Sequence, residues 1–279
     1  MPNDEKIVKA NGVDLCVQTF GDVKDPAILL IHGASASMLW WEAELCEKIA
    51  AGGRFVIRFD NRDTGKSVSY PTGQPGYSLR DMTEDALGIL DVLGIQRAHL
   101  VGRSMAGAII SLAGIDYADR VASLTFVSTT PGGGDLPPMS DEFMEYTSQN
   151  PDPSDSKAVV DFITGLMKVY SGGSPYYDEK AMRAIAEADV ARADNIASTL
   201  TNHFVINFDG PEKGGLGDIT APTLVVHGEK DPVFPLPHGE ALRDRIPGAE
   251  LLIMEKAGHE VPEPLWDVFA TALIKHSAV

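Results

Sequence analysis

The stretch AHLVGRSMAG, residues 98–107, carries an apolar run that ends at Gly102 and leads through Ser104 into small residues. The pattern predicts a strand, a tight turn and a helix. On such a turn the serine backbone is strained, and small residues two before and two after it, Gly102 and Ala106, keep side chains from colliding. The turn would expose the Ser104 hydroxyl, which is a poor nucleophile near neutral pH unless a base lies within hydrogen-bond reach.

The same turn offers a donor for a negatively charged oxygen. The backbone N–H of Met105 starts the predicted helix and points to the space above the serine oxygen, so it can contribute to an oxyanion hole. Ala106 departs from the Gly-x-Ser-x-Gly pattern, although alanine is still small. An ordinary serine at a helix N-cap would explain an isolated string of this kind equally well, so the choice depends on the rest of the chain.

Apolar runs and helical patterns alternate along most of the chain. The turn dipeptide Asn11-Gly12 predicts an opening hairpin, and the uninterrupted run AILLI at 27–31 is typical of a strand buried on both faces. Besides the strands that precede Ser104 and Asp231, strands are predicted at 7–10, 13–19, 27–31, 55–59, 124–127 and 250–254. Core helices are predicted at about 40–51, 79–93, 105–117 and 265–275. This alternation predicts an α/β fold with a mostly parallel sheet and a site at the carboxyl ends of its strands.

The alternation stops at Pro131 and resumes near Pro222. Glycine and proline clusters follow Pro131, and helices are then predicted at 140–149, 156–170, 178–191 and 195–204. An insertion of this kind after a sheet strand is interpreted as a helical lid over the carboxyl edge of the sheet. The prediction therefore divides the chain into an α/β core, residues 1–130 and 218–279, and a helical cap, residues 131–217.

Composition excludes several classes of protein. Of the 279 residues, 44% are hydrophobic, which is enough to bury one large core. A formal net charge of −17 argues against nucleic acid or an anionic membrane as partner, because both require clustered Lys and Arg. Cys16 and Cys46 form neither a disulfide framework nor a metal-ligand spacing, and both are interpreted as small buried residues. Residues 1–10 contain no apolar stretch long enough for a signal peptide or membrane helix, so a cytoplasmic location is expected.

The residue types needed for nucleophilic catalysis each follow a predicted strand, in the order Ser104, Asp231, His259. They can converge because the carboxyl ends of parallel strands meet at one edge of a sheet. His259 would take the serine proton and later protonate the leaving group, while Asp231 would fix the histidine tautomer and stabilise its charged form. Backbone N–H groups of Ala34 and Met105 would form the oxyanion hole, at about 3 kcal/mol per donor.

Each of these residues also has an ordinary structural interpretation. Alone, Asp231 would be a turn residue before a proline and His259 a partly exposed histidine, but their order after strands favours the catalytic interpretation. Glu229 is a competing acid two residues before Asp231. The other histidines in the core and cap show no metal-ligand spacing, so no metal is expected; they are His99, His203, His227, His238 and His276.

At these motifs the chain resembles the α/β-hydrolases over essentially its whole length. The resemblance rests on HG at 32–33, the turn at Ser104, GEKDP at 228–232 and GH at 258–259. It implies the α/β-hydrolase fold, a mostly parallel eight-stranded sheet flanked by helices, with a helical lid inserted after the sixth strand. The loop FDNRDTGKS at 59–67 is similar to that of a narrower group, esterases that look like aclacinomycin methylesterase, with Arg-Asp-Thr-Gly in place of the commoner Arg-Gly-x-Gly.

The resemblance and the serine together imply a carboxylesterase that acts on small to medium carboxylic esters through an acyl-enzyme at Ser104. No cofactor is expected. The epoxide hydrolases and haloalkane dehalogenases, which the chain also resembles, carry an aspartate at this turn. Lactonase, carbon–carbon bond hydrolase and perhydrolase activities reuse the same triad and stay open, as does a slow-turnover ligand sensor. The expected partner is a small-molecule ester, and the protein is expected to be a monomer or homodimer.

An apolar acyl pocket is expected beside the nucleophile. Trp40 and aromatic residues of the lid are candidates for its walls. The charge of Arg103 beside the site would bias substrate choice, and His203 is a candidate for contact with substrate. The expected pocket residues are Gly33, Trp40, Arg103, Phe143, Phe162 and His203.

Overall fold

The computed structural model describes residues 4–278, so residues 1–3 and 279, which belong to the predicted core segments, lie outside it. The described chain forms one sheet of eight strands. The strands are β1 (Lys6–Ala10), β2 (Val13–Phe20), β3 (Ala27–Ile31), β4 (Phe55–Phe59), β5 (Ala98–Arg103), β6 (Val121–Val127), β7 (Thr223–Gly228) and β8 (Glu250–Met254). Across the sheet their order is β1-β2-β4-β3-β5-β6-β7-β8.

The pairing of the strands agrees with the predicted topology. β1 and β2 form the expected hairpin, and β2 pairs antiparallel with β4. The remaining neighbours in the described sheet are parallel. Asn11 and Gly12 connect β1 to β2 with φ angles of 46° and 78°, the left-handed conformation that a tight hairpin turn requires. The prediction of a mostly parallel eight-stranded sheet is confirmed.

Helices lie against the faces of the sheet and in the stretch between β6 and β7. They are α1 (Ala43–Ala50), α2 (Leu79–Val92), α3 (Ala106–Asp116), α4 (Asp141–Thr147), α5 (Ser156–Tyr170), α6 (Glu179–Arg192), α7 (Ile196–Thr201), α8 (Pro237–Arg245) and α9 (Trp266–His276). Ser78 and Asp81 form a capping box that starts α2. Within residues 4–278, no helix combines the length and apolar character needed to cross a membrane.

Strand β3 is buried on both faces of the sheet. Leu29 and Ile31 belong to the apolar cluster that includes α2 and α3. Ile28 and Leu30 belong to the cluster on the other face, which includes α1 and α9. Because successive side chains of a strand point to opposite faces, one uninterrupted apolar run supplies both cores.

Helices α4, α5, α6 and α7 lie between β6 and β7 in the sequence, within residues 131–217, and we call this stretch the inserted segment. It packs on loops that follow two parallel strands. Val159 of α5 packs in a cluster with Trp40, which follows β3. Phe143 of α4 packs with Val233, which follows β7. The inserted segment therefore lies against the carboxyl edge of the sheet.

Two local features differ from the sequence prediction. The helix expected at 40–51 is split into a 3₁₀ turn, Met38–Trp40, and α1, because Trp41 and Glu42 between them have non-helical backbone angles. Helix α8 has no counterpart in the prediction. Pro237 occupies its first turn, a position that proline tolerates, and the polar sequence around Gly239 hides the apolar spacing that indicates a helix.

Gly102 lies where β5 packs closely against the start of α3. A Cβ atom at Gly102 would overlap the backbone carbonyl oxygen of Ala106, which cannot rotate away. We expect Gly102→Ala to lower the free energy of unfolding by about 2–3 kcal/mol, as overpacking of a tight site does. Gly134→Ala is the control, because a Cβ atom there meets no atom within 4 Å. Chemical denaturation of both variants checks the prediction, and equal losses of stability would contradict it.

Candidate active site

Ser104 lies at the turn between β5 and α3 with a backbone φ of 54°. This left-handed conformation costs a non-glycine residue about 1–2 kcal/mol. The Ser104 N–H donates to the carbonyl of Val127 at 3.0 Å. The Ser104 carbonyl accepts from the N–H of Gly107 at 2.9 Å and from the Thr129 hydroxyl at 2.6 Å. These hydrogen bonds keep the serine in its strained conformation.

The loop after β3 passes directly over the serine turn. A Cβ atom at Gly33 would lie 2.7 Å from the Cβ of Ser104 and 3.3 Å from the backbone nitrogen of Met105, so this approach requires glycine. Met105 precedes the first residue of α3, where backbone N–H groups have no acceptor within the helix. Ala34, Ser104 and Met105 line one cavity. The two residues predicted as oxyanion donors are thus neighbours of Ser104.

Asp231 follows β7 in a tight turn and is 4% exposed. Its Oδ1 accepts from the N–H groups of Val233 at 2.8 Å and Phe234 at 2.9 Å, and its Oδ2 accepts from His259 Nδ1 at 2.8 Å. Burial alone would raise the pKa of Asp231, but His259, His227 and the Phe234 N–H outweigh it and hold the pKa below its usual range. Asp231 is therefore a carboxylate that keeps the proton of neutral His259 on Nδ1.

His259 follows β8 and is held on its backbone from two sides. Its N–H donates to the carbonyl of Tyr170 at 2.8 Å, and its carbonyl accepts from Arg103 Nη2 at 3.1 Å. With Nδ1 bound to Asp231, Nε2 is the ring nitrogen left for Ser104, and His259 and Ser104 line the same cavity. Within residues 4–278, Nε2 has no hydrogen-bond partner. The structure thus brings the three predicted residues to one place, with the Asp231–His259 hydrogen bond formed and the Ser104–His259 hydrogen bond not formed.

Arg103, predicted as a pocket residue, directs its guanidinium into the protein. Besides the His259 carbonyl, it contacts His32 Nε2 at 3.2 Å. Burial lowers the pKa of Arg103, and the carboxyl groups of Glu42 and Glu260 oppose that shift. Since a guanidinium only donates, His32 Nε2 accepts, and burial beside Arg103 keeps the His32 pKa well below its usual range. Arg103 therefore ties the loop after β3 to the loop that carries His259.

A cavity of about 870 Å³ adjoins Ser104 and His259, and its walls are mainly apolar. The residues predicted for the pocket all line it: Gly33, Trp40, Arg103, Phe143, Phe162 and His203. The Trp40 indole N–H donates to Asp189 Oδ2 at 2.7 Å, which fixes the ring in the wall. His203 differs from the expectation of a substrate contact, because it is 1% exposed and both of its ring nitrogens bond to the backbone.

The loop at 60–67 supports this site in a way that the sequence prediction missed. Asn61 Nδ2 donates to the carbonyl of His32 at 2.9 Å. Asp60 Oδ1 accepts from the Met38 N–H at 2.9 Å. Both bonds fix the loop that crosses Ser104. The available signal was the run of polar residues directly after a fully buried strand, β4, at the carboxyl edge of the sheet.

His227 is a second residue that the sequence prediction left among the structural histidines. Its Nε2 donates to the carbonyl of Phe234 at 2.7 Å and lies 3.6 Å from Asp231 Oδ2. The histidine thereby fixes the turn whose N–H groups bind Asp231. Its position in the buried strand β7, four residues before Asp231, was the only sign of this role.

A mostly parallel sheet with a strained serine turn at its carboxyl edge, and an inserted helical segment before β7, defines a hydrolase of the α/β class. The chain belongs to the alpha/beta hydrolase fold family, whose model matches residues 26–263. The resemblance seen in the four sequence motifs is confirmed.

Two relatives are methylesterases. The chain is 29% identical over 292 residues to rhodomycin D methylesterase DauP from a Streptomyces species, a match that covers 98% of this chain and 97% of the relative. It is 27% identical, with the same coverage, to rhodomycin D methylesterase DnrP from Streptomyces peucetius. A 2-hydroxy-6-oxononadienedioate/2-hydroxy-6-oxononatrienedioate hydrolase from Burkholderia vietnamiensis is 29% identical over 84% of this chain and 80% of its own length. The methylesterases agree with the narrower resemblance based on the loop at 59–67.

Solved structures of other hydrolases have the same fold. A meta-cleavage product hydrolase from Pseudomonas fluorescens IP01 superposes with a TM-score of 0.79 at 18% identity, covering 97% of this chain and 96% of that chain. An esterase from Exiguobacterium antarcticum superposes with a TM-score of 0.76 at 21% identity, and the match covers 99% of this chain and 100% of that chain. At these identities the likeness establishes the fold alone.

Arg192 at the end of α6 joins the inserted segment to the loop at 60–67. Its Nη1 lies 2.7 Å from Asp60 Oδ2, and both side chains are buried. We expect Arg192→Met to lower the free energy of unfolding by about 3–5 kcal/mol at pH 7, because it leaves a buried carboxylate without its counter-charge. Burial already raises the pKa of Asp60, and Arg192 opposes that shift. Arg192→Met therefore raises the pKa of Asp60 further.

The pH dependence distinguishes this cause from lost packing. A carboxyl group whose folded pKa is raised destabilises the protein above its unfolded pKa of about 3.9 and stops doing so below it. The loss caused by Arg192→Met should therefore shrink as the pH falls from 7 toward 4. Arg183→Met, on the same helix, removes an exposed pair with Asp161 and should lower the free energy of unfolding far less. Equal losses of stability in Arg192→Met and Arg183→Met, or a loss of stability in Arg192→Met that grows as the pH falls, would contradict the prediction.

Proposed function

We propose that the protein is a serine carboxylesterase that hydrolyses small to medium carboxylic esters. The observation that carries the proposal is the 2.8 Å hydrogen bond between Asp231 Oδ2 and His259 Nδ1, beside the cavity that Ser104 lines. It leaves Nε2 of His259 as the free basic atom of the ring. A general base oriented in this way is what a serine nucleophile requires.

The reaction proceeds in two halves. His259 Nε2 takes the Ser104 proton as Oγ attacks the ester carbonyl, and the bond to the alcohol oxygen breaks as His259 returns the proton to it. Water, deprotonated by His259, then attacks the acyl-enzyme. The bond between the acyl carbon and Ser104 Oγ breaks as His259 returns the proton to Oγ, which releases the acid. The N–H groups of Ala34 and Met105 donate to the oxyanion of both tetrahedral intermediates, and each contributes about 3 kcal/mol. No cofactor takes part in this scheme.

The family relationship and the cavity support the choice of substrate class. Two relatives that match nearly the whole chain are methylesterases, and we carry ester hydrolysis over to this protein on that ground. The mainly apolar walls of the cavity suit an uncharged acyl group. We further propose that the inserted segment, residues 131–217, is a lid on the α/β core, that the protein works in the cytoplasm, and that it is a monomer or a homodimer.

A carbon–carbon bond hydrolase is the second candidate. It is favoured by the relative from Burkholderia vietnamiensis, whose name describes the hydrolysis of an oxo-dienedioate, although that match covers less of the chain than the methylesterases do. Lactonase and perhydrolase activities would use the same three residues. A ligand sensor would bind such molecules and turn them over slowly or not at all.

Hydrolysis of p-nitrophenyl esters of graded acyl length tests the proposal. The parent should release p-nitrophenol over many turnovers without added metal, and Ser104→Ala should abolish this release while leaving the circular dichroism spectrum unchanged. We expect Asp231→Asn to lower kcat by about 10⁴-fold, because it stabilises the wrong histidine tautomer. Its control is Glu229→Gln, which changes an acid that accepts the Lys256 N–H at the surface and should leave kcat unchanged.

Three results would contradict this assignment. Turnover by Ser104→Ala at the parent rate would remove the serine from the mechanism. A larger loss of kcat in Glu229→Gln than in Asp231→Asn would mean that Glu229, and not Asp231, is the acid that orients His259. Hydrolysis of a vinylogous 1,5-diketone but of no ester would favour the carbon–carbon hydrolase.

A further inference from the structure

The loop that crosses Ser104 contains a second strained residue. Ser35 has a backbone φ of 57°, in the left-handed region that non-glycine residues adopt at a cost of about 1–3 kcal/mol. The peptide group that carries the Ser35 N–H is also the one that ends Ala34, a proposed oxyanion donor. The Ala34 N–H belongs to the preceding peptide group, and the two groups are joined at the Ala34 Cα. A hydrogen bond that fixes the Ser35 N–H therefore also restricts the orientation of the Ala34 N–H.

The partner of that N–H is His203, which comes from the inserted segment. The Ser35 N–H donates to His203 Nδ1 at 3.0 Å. On the other side of the ring, Nε2 lies 2.8 Å from the carbonyl oxygen of Arg62. A carbonyl only accepts, so Nε2 carries the proton and Nδ1 is the acceptor. Burial keeps the pKa of His203 below its usual value, which maintains this neutral form.

The anchor on the far side of the ring is rigid. The Arg62 guanidinium makes two hydrogen bonds to the carboxylate of Asp85, at 2.6 and 2.7 Å, in a pair that is almost fully buried. The neighbour of His203 is fixed as well, because Asn202 Nδ2 donates to Asp63 Oδ2 at 2.9 Å and its Oδ1 accepts from the Gly73 N–H at 2.7 Å. His203 is thus held between two well-anchored points and can impose its position on the loop.

We propose that His203 is a positioning residue, which holds the oxyanion loop through its Nδ1 and so couples the inserted segment to the reactivity of Ser104. This inference rests on the proposed function and adds a residue outside the three catalytic ones. His203 lines the cavity, but both of its nitrogens are occupied by the protein backbone. It therefore acts through the loop and makes no hydrogen bond to substrate.

Two amide substitutions separate the two nitrogens of His203. In His203→Asn the amide oxygen can occupy the position of Nδ1, so the Ser35 N–H keeps an acceptor while the bond to Arg62 is lost. In His203→Gln the amide nitrogen can occupy the position of Nε2, so the bond to Arg62 is kept and the Ser35 N–H loses its acceptor. Each variant removes one hydrogen bond and has a similar cost in stability.

We expect His203→Gln to lower kcat for a p-nitrophenyl ester by about tenfold or more, with KM changed by less than about twofold, because one oxyanion donor alone accounts for about 10²–10³ in kcat. His203→Asn should keep kcat within about threefold of the parent. A residue that acts only in folding would affect both variants alike. Equal losses of kcat in the two variants, or a loss confined to His203→Asn, would overturn the proposal.

Amide hydrogen exchange of the peptide that contains residues 33–38 gives a readout independent of turnover. Exchange should be about tenfold faster in His203→Gln than in His203→Asn, and equal rates would again overturn the proposal.

The parent and Ser104→Ala are assayed for ester hydrolysis in the same experiment. If the parent hydrolyses no ester, the proposed function fails while the exchange measurement still decides whether His203 holds the loop. If ester turnover depends on Ser104 and the amide variants behave alike, only the present inference fails.

Discussion

The structure depends on one constraint, the left-handed backbone of Ser104 at the end of a fully buried strand. A non-glycine residue keeps this conformation only where contacts with the surrounding structure hold it there. Gly102 on one side and Gly33 on the other allow backbone to approach where any Cβ atom would collide. The parallel sheet supplies the position, because it brings the ends of β3, β5, β7 and β8 to one edge.

Buried polar groups then fix the loops that meet at that edge. Arg103 joins the loop after β3 to the backbone of His259, and Asn61 binds the carbonyl of His32 from the loop at 60–67. Arg192 and His203 extend the same framework into the inserted segment. Since a buried polar group without its partner is costly, each of these contacts restricts the loops to one arrangement. The inserted segment is therefore part of the support of the site as well as one of its walls.

The sequence was informative where a physical rule acts locally. The run AILLI predicted a strand buried on both faces, Asn11-Gly12 predicted a hairpin, and the order of Ser104, Asp231 and His259 after strands placed them at one edge. It was uninformative where the cause is a contact between distant residues. His203 lies 168 positions from Ser35, and nothing in the pattern around it distinguishes a loop anchor from a substrate contact. Helix α8 was missed for a different reason, because proline and polar residues mask its apolar spacing.

Covalent labelling tests most directly whether this site activates Ser104. An alkyl fluorophosphonate reacts with a serine only when a base and oxyanion donors act on it, and peptide mass spectrometry locates the adduct. We predict a single phosphonyl group on the peptide that contains Ser104, formed rapidly by the parent and far more slowly by Asp231→Asn. An unlabelled Ser104 in folded protein, or an adduct at another residue, would contradict the assignment of Ser104 as the nucleophile.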